Sequence, residues 1–544
     1  MTERTASASD AITIDSFALD NLPPPEEWPD LDLSHPAYHY PEMLNAAEVF
    51  VDRWIAAGQG DRRAIVTPDD TWSYANLSDC VAKLAHVLVD DLGVRPGNRV
   101  LLRAANTPMM VASYLAVLRI GAIAVGTMPL LRGRELRVII ERAEISHALC
   151  DARLAEALNE ARADGSPLRS VGLIGARDGG ALAEAMASKP AEFQAFPTRA
   201  DDVALIAFTS GTTGQPKATA HFQRDLLAIC DGFSNQVLKP TPDDLFTGSP
   251  PLAFTFGLGG LALFPFRVGA ATLLLEQAAP KLLMEAIDRH RPTIVFTAPT
   301  AYRAMLAMLG DYDISSLRAC VSAGEHLPLP TYEAFEAATG IKIINGIGAT
   351  EMLHIFISSA YDGIRPGATG RVVPGYQAKV IGEDGEDLPV GEVGRLAVKG
   401  PTGCRYLSDA RQRNYVRDGW NITGDTFSQD ADGYFWYQAR NDDMIISSGY
   451  NIAGPEVEAA LLDHDAVQEC AVVGAPDPER GAIVEAHVVL KNGWEGTDAL
   501  AETLQAHVKA TIAPFKYPRR IVFTSALPKT ETGKIQRFRL KEAN

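Results

Sequence analysis

Thr209–Lys217 reads TSGTTGQPK and follows directly on the apolar run Val203–Phe208. That run is short and sharply bounded, the pattern of a buried strand. Gly211 and Gly214 carry no Cβ, so the backbone after the strand turns tightly and approaches a ligand closely. Thr209, Ser210, Thr212 and Thr213 add hydroxyls, and Lys217 adds a positive charge. Backbone N–H groups, hydroxyls and one ammonium around a turn suit the oxygens of a polyphosphate. The Walker spacing G-x-x-x-x-G-K-[ST] is absent, so this is a different phosphate loop. Taken alone, the stretch also reads as a solvated Gly/Thr turn that binds nothing. The order of the motifs downstream weighs against that second reading.

Working outward from the loop, residues 46 to about 200 alternate helical periods with short apolar runs. Val100–Leu102 and Ala122–Val125 are such runs, and Glu135–Ala143 is a helix-like segment. This rhythm predicts α/β layers on a largely parallel sheet, and it continues through Thr293–Thr297, Ala319–Ser322 and Lys342–Ile344. Between Ala368 and Tyr437, Gly and Pro punctuate strand-like runs such as Gln377–Ile381 and Gly394–Val398, which predicts a small β-rich subdomain. After Arg440 comes a compact α/β segment, with helices over Pro455–Leu462 and Leu500–Thr511 and strands over Ala471–Val473 and Ala486–Leu490. Residues 1–45, rich in Pro, Asp and Tyr, read as an irregular arm on the first domain. The expected division is therefore an arm (1–45), a large domain (46–440) and a smaller C-terminal domain (441–544).

A chain of 544 residues exceeds one compact core and calls for several such units. A formal net charge of −18 argues against a nucleic-acid footprint and against standing attachment to anionic membranes. Cys80, Cys150, Cys230, Cys320, Cys404 and Cys470 are far apart, with no C-x-x-C pair, so neither a metal knuckle nor a disulfide framework is indicated. The first residues show neither a basic n-region nor an apolar h-region, and Val111–Thr127 falls short of a membrane span. The expectation is a soluble cytoplasmic protein, monomer or homodimer, with small-molecule partners and neither nucleic acid nor membrane.

Further blocks then read together with the loop. Gly346–Glu351, GIGATE, follows the strand-like Lys342–Ile344. Its Thr350 offers a hydroxyl to phosphate, and Glu351 offers a hard oxygen to Mg²⁺, which favours one or two carboxylates plus phosphate oxygens. By itself Glu351 also reads as a helix N-terminal carboxylate held by the dipole. In Thr423-Gly424-Asp425 a short acid beside a glycine suits two ribose hydroxyls, or else an ordinary Asp turn. Arg440 follows fifteen residues after Asp425, then Asp442, Asp443 and Ser447-Ser448-Gly449-Tyr450. Near the end stands Pro528–Ile535, PKTETGKI, whose Lys534 taken alone is a solvated charge.

In this order, and over about residues 46 to 540, the five blocks resemble the core motifs of the adenylate-forming superfamily: acyl- and aryl-CoA ligases, peptide-synthetase adenylation domains and luciferases. The resemblance implies an α/β fold: a large N-terminal domain of two α/β subdomains plus a small β-rich one, and a mobile α+β C-terminal lid. It implies ATP, Mg²⁺ and coenzyme A as cofactor and co-substrates. It assigns Thr209, Ser210, Gly211, Thr212, Thr213, Gly214 and Lys217 to the phosphates. Gly324 and Glu325, in Ser322–Glu325, pass along the adenine and the acyl pocket, with Gly346 and Ile347 nearby. Asp425 and Arg440 hold the ribose, Glu351 binds Mg²⁺, Asp442 is the hinge and Lys534 the catalytic lysine. Gly449 and Tyr450 line a thiol tunnel after lid rotation. The pattern departs from the family at Ile347, where an aromatic often covers the adenine, and at Ala218, where many relatives have glycine.

Four runs resemble the benzoate-type aryl-CoA ligases, and within them the 2-aminobenzoate (anthranilate)–CoA ligases: Ser249–Gly260 (SPPLAFTFGLGG), Phe296–Leu306 (FTAPTAYRAML), Gly348–Ser358 (GATEMLHIFIS) and Gly400–Leu407 (GPTGCRYL). Phe254 and Phe256 suit the walls of a flat ring. Ala253, Gly324 and Ala349 leave room for a substituted one. His354 reads either as a polar contact to that ring or as a satisfied structural histidine. Residue chemistry alone supports a compact aromatic or hydrophobic acid; the ortho-amino preference comes from the resemblance. Benzoate or hydroxybenzoate as the acid, a carrier-protein thiol in place of CoA, and a luciferase-like use of oxygen are the rival readings. A non-catalytic relative is disfavoured, since Lys217, Glu351, Asp425, Arg440 and Lys534 are all present.

Overall fold

The computed structural model describes residues 14–162, 165–175, 180–209, 216–440, 443–447, 450–477, 480–512, 514–529 and 535–542. The run Val203–Phe208 is a strand, Val203–Thr209, inside a six-stranded sheet. The order across that sheet is Ser170–Ile174, His147–Asp151, Arg99–Arg103, Ile123–Gly126, Val203–Thr209 and Lys217–Phe222. The first five are parallel, and the last runs antiparallel to its neighbour. Arg99–Arg103 and His147–Asp151 are buried throughout, as parallel strands covered on both faces must be. A covering helix, Pro108–Arg119, starts at Thr107, whose side chain accepts from the Met110 N–H, with Pro108 at the first helical position.

The second sheet has nine strands. Six at its centre are parallel, in the order Ile343–Gly348, Ala319–Ser322, Ile294–Thr297, Leu245–Gly248, Ala271–Leu273 and Arg63–Val66. Antiparallel strands close both edges: Thr71–Ser73 on one side, Ile355–Ser358 and Arg371–Val372 on the other. Gln377–Ile381, Val393–Lys399, Trp420–Gln429 and Phe435–Arg440 form the β-rich unit, antiparallel throughout. Its Gly/Pro-punctuated sequence permits hairpin turns and no crossover helices.

The C-terminal unit packs helices Gly454–Leu462 and Asp498–Thr511 on strands Val467–Asp477, Gly481–Leu490 and Arg520–Phe523, around Val457, Leu461, Val472, Val488 and Leu504. The fold is thus mixed α/β, with a large N-terminal domain and a smaller C-terminal one. Residues 14–45 carry only short helical turns and are tied to the large domain. Asp15 pairs with Arg99 at 2.6 Å, the Tyr38 hydroxyl donates to the Pro374 carbonyl at 2.6 Å, and Tyr40 donates to Asp231 at 3.0 Å.

Six parallel strands in register bring their carboxyl ends to one edge, the usual ligand-binding edge of an open α/β sheet. Ser249, Thr297, Ser322–Glu325 and Gly346–Glu351 all leave strands there. The C-terminal domain meets the large one near this edge. Glu469 lies 3.5 Å from Arg303, and the positive charge of Arg537 acts on His326 and Tyr437.

Candidate active site

Thr209 and Lys217 are partners in an antiparallel register, so the phosphate-type loop is the connection of a hairpin. Its inner residues Ser210, Gly211, Thr212, Thr213 and Gly214 lie outside the described residues. The segment 405–407 extends this sheet: the Ala220 N–H donates to Arg405 at 2.8 Å, and the Leu407 N–H donates to Ala218 at 2.9 Å. That pairing puts Tyr406 beside Lys217. The Lys217 ammonium donates to the Tyr406 hydroxyl at 3.2 Å and stands 5.0 Å from the centre of its ring. The Tyr406 hydroxyl in turn donates to Glu351 Oε1. Burial, and then the Glu351 charge, push the Tyr406 phenol well above its ordinary pKa, so it keeps its proton and donates.

Glu351 is 8% exposed and sits on the single 3₁₀ turn Thr350–Met352. One such turn carries no macrodipole of consequence, so the helix N-terminal reading of Glu351 does not hold. The turn is pinned from behind by His221, whose Nε2 faces the Thr350 carbonyl at 2.8 Å. A carbonyl only accepts, so Nε2 carries the proton. Burial lowers the His221 pKa to about 4 and keeps the ring neutral. Behind it, Arg405 and Asp225 form a fully buried ion pair at 2.9 Å.

Asp425 and Arg440 face one another in strand register, with charged atoms 4.0 Å apart. Gly324 leaves its strand with φ +88°, a left-handed conformation that a Cβ would strain. His326 then stacks on Tyr437, ring centres 5.2 Å apart, joining the Gly324–Glu325 segment to the strand that carries Arg440. Gly346 and Ile347 lie on the strand directly beside Ala319–Ser322. The Gly324–Glu325 and Glu351 candidates therefore share one edge of the nine-stranded sheet, and the His326–Tyr437 stack joins the strand of Arg440, from the β-rich sheet, to that edge.

His354, 3% exposed, is boxed by aromatic rings: Phe264 at 4.5 Å, Phe256 at 5.6 Å, Phe233 at 5.9 Å and Phe296 at 6.5 Å between centres. A Cβ on Gly259 would come within 2.4 Å of its ring, so glycine there is what admits the imidazole. Nε2 faces the Phe256 carbonyl at 3.4 Å, while Nδ1 is buried and meets no donor among the described residues. Burial lowers the His354 pKa to about 3, so the ring is neutral and Nδ1 is an open acceptor. Phe256 belongs to this box. Phe254 is 36% exposed at the turn preceding helix Thr255–Leu258. The loop carrying Ala253 is held by Asn106, which bonds Pro250 and Leu252 at 3.0 and 2.8 Å, and by the Tyr114 hydroxyl, 3.0 Å from the Leu252 carbonyl. Ala349 packs partly buried against the same core.

Lys534, Asp442 and Gly449 lie outside the described residues, and of Tyr450 only the backbone is described, in a short strand opposite Ser447. The segment bearing Lys534 is closed at its base by a bridge between Lys529 and Ile535. Tyr406, His221, Asn106, Phe233, Phe264 and Phe296 complete the site, and the sequence reading assigned none of them a role. Tyr406 and Phe296 stood in quoted motifs, GPTGCRYL and FTAPTAYRAML, where their rings carried no mark of their distant partners.

Among the described residues no group of three or more His, Cys, Asp or Glu is placed to hold a metal. A lone carboxylate completed by phosphate oxygens is a donor set Mg²⁺ accepts, so Glu351 fits that ion. No described helix is long and apolar enough to cross a membrane.

Residues 52–406 match the AMP-binding enzyme family and residues 456–534 its C-terminal domain. The chain is 34% identical over 517 residues to a benzoate–CoA ligase of Thauera aromatica, covering 93% of this chain and 98% of that one. It superposes on an anthranilate CoA ligase solved in complex with anthranoyl-AMP, with a TM-score of 0.88, 34% identity and coverage of 93% and 98%. It also superposes on a benzoate CoA ligase of Burkholderia xenovorans, with a TM-score of 0.84, 31% identity and coverage of 92% and 100%. By its matching family models and its similarity to these ligases, the chain belongs to the AMP-binding enzyme family, in the benzoate-type aryl-CoA ligase branch, and is an AMP-forming acid–thiol ligase.

Proposed function

We propose that the enzyme activates 2-aminobenzoate with ATP and passes the aryl group to coenzyme A. A carboxylate oxygen attacks the α-phosphorus; the new O–P bond forms as the bond to the bridging oxygen breaks, and pyrophosphate leaves with that electron pair. The thiol sulfur of CoA then attacks the carbonyl carbon, AMP departs, and the thiol proton passes to solvent. Lys217 meets the charge that gathers on the phosphoryl oxygens, and fixed donors aimed at such charge give the largest catalytic contribution. Lys534 adds a second cation from the lid. Asp425 and Arg440 hold the ribose, and Gly324, Glu325, Gly346 and Ile347 flank the adenine. Glu351, together with the phosphates, would hold Mg²⁺, which when bound would supply positive charge against the departing pyrophosphate. Lid rotation about Asp442 exchanges Lys534 for the Gly449–Tyr450 loop between the two steps.

The single observation that carries the choice of acid is the aromatic box around His354. A flat ring stacks well among phenylalanines, and a buried, unpaired Nδ1 favours a ligand that brings an N–H donor. Benzoate has no such donor; 2-aminobenzoate has one ortho to its carboxylate. All six cysteines are free thiols, which suits the cytoplasm we propose.

The test is pyrophosphate release over a panel of benzoates and aliphatic acids, with and without CoA. We expect 2-aminobenzoate to be turned over at least as well as benzoate, with aryl-CoA formed only when CoA is supplied. Good turnover of benzoate or a hydroxybenzoate with none of 2-aminobenzoate would overturn the substrate assignment and leave the aryl-CoA ligase class.

A further inference from the structure

Lys217 and Glu351 come from different sheets, and both bear charges the nucleotide half-reaction needs. They make no direct ion pair. Between them stands one hydroxyl, that of Tyr406, accepting from the ammonium at 3.2 Å and donating to the carboxylate. We propose that Tyr406 is a positioning residue of this site, a neutral spacer that ties Lys217 to Glu351 and keeps the two charges from collapsing onto each other. The inference rests on the reading of Lys217 and Glu351 given above.

The spacer is itself rigidly built. Tyr406 is fully buried, and its ring meets Tyr415 edge-on at 5.8 Å. Its N–H donates to Gln412 Oε1 at 2.9 Å. Gln412, 1% exposed, also donates to the Cys404 carbonyl at 3.1 Å and to the Glu27 carbonyl of the arm at 2.8 Å. The hydroxyl is therefore held by backbone pairing on one strand and by a side-chain clamp on the other side, the support a precisely placed group requires.

The physical reason for a spacer lies in the alternative. A lysine and a glutamate in contact, away from water, neutralise one another and leave neither charge for a ligand. A hydroxyl between them uses one oxygen of Glu351 and one direction of the Lys217 ammonium. The second carboxylate oxygen and two ammonium protons remain for metal and phosphate. Tyrosine supplies both roles at once, since its O–H donates to the acid while its oxygen accepts from the cation.

Tyr406→Phe removes the hydroxyl and keeps the ring in place against Tyr415. Titration calorimetry of Mg·ATP without any acid should show about tenfold weaker binding or more, the loss expected for charge-assisted hydrogen bonds. The half-saturating Mg²⁺ concentration should rise with it. Thioester formation from supplied aryl-adenylate and the melting temperature of the unliganded protein should change little. In a Glu351→Gln background, Tyr406→Phe should have no further effect on the Mg²⁺ dependence. Unchanged Mg·ATP affinity in Y406F, or a loss independent of Mg²⁺ concentration, would overturn the proposal. Since no aromatic acid enters the binding measurement, failure of the substrate assignment does not disturb it. If Y406F does not fold, Lys217→Met against Lys217→Met/Glu351→Gln reads the same coupling: additive effects on Mg·ATP affinity reject the tie.

Discussion

Asp425 and Arg440 occupy opposing positions on neighbouring antiparallel strands, and a guanidinium nitrogen lies 4.0 Å from the Asp425 carboxylate. Cross-strand partners of opposite charge hold each other's rotamers, so the acid is oriented in advance for the ribose role proposed above. Asp425→Ala removes a charged acceptor worth about 1.5–3 kcal/mol to two hydroxyls. The expected outcome is ATP binding weaker by about ten- to a hundredfold in calorimetry, with affinity for the aromatic acid little changed. Unaltered ATP affinity would remove Asp425 from the ribose site.

Glu469 joins the two domains. Its carboxylate is 3.5 Å from Arg303 of the large domain and 2.5 Å from Lys529, one residue before the segment that ends at Lys534. Partly exposed pairs contribute about 0.2–1 kcal/mol, so Glu469→Gln should slow pyrophosphate release about two- to fivefold. Under the lid rotation proposed above, thioester formation from supplied aryl-adenylate uses the other orientation and should hold steady or rise. Equal losses in both half-reactions would show that Glu469 does not discriminate between lid positions.

Two buried histidines make the fold acid-sensitive. His354 and His221 titrate at about 3 and about 4 in the folded chain, lowered mainly by burial, against about 6.5 when unfolded. Between those values the unfolded chain binds protons that the folded chain refuses, so stability falls as pH drops below about 6.5. The slope is about 1.4 kcal/mol per pH unit for each histidine, fully relieved above pH 6.5. Urea midpoints of His354→Gln between pH 4.5 and 6.5 should show a pH slope shallower by about one proton. An unchanged slope would place the linked proton on another group.

The Arg405–Asp225 pair has no solvent exposure on either side chain. Removing one member strands a charge in the interior, at a cost of about 3–5 kcal/mol. Arg405→Met should therefore lower the denaturant midpoint strongly, and Asp225→Asn in the same chain should restore a large part of the loss. A single variant within about 1 kcal/mol of wild type would mean that water reaches Asp225.

Ala349 precedes the Glu351 turn and packs against the same core as Phe256. Leucine there should crowd an ortho-substituted ring more than a bare one. Overpacking costs about 1–3 kcal/mol, which shifts specificity about ten- to a hundredfold. Comparing kcat/KM for benzoate and 2-aminobenzoate should show Ala349→Leu favouring benzoate, the reverse of wild type. The same preference in both proteins would place the ortho substituent away from Ala349.

By itself the sequence determined the elements and the nature of the chemistry. The runs at Val203, Ile294 and Ala319 are strands because a short apolar stretch ended by Thr or Ser leaves few other choices. Glu351 stood out as a hard oxygen donor because it follows the strand-like Lys342–Ile344 within a few residues. Its setting was beyond local reach: the dipole expected of a helix gave way to one 3₁₀ turn that pairs straight back into Ile355–Ser358. Tyr406 lies 189 residues from Lys217 and 55 from Glu351. His354 draws its box from Phe233, Phe256, Phe264 and Phe296. Such contacts depend on which strand lies beside which and in what register, and that is decided by burial of the two sheets as a whole. A motif names a functional group; only the packed sheets decide its neighbours, its protonation and its reach.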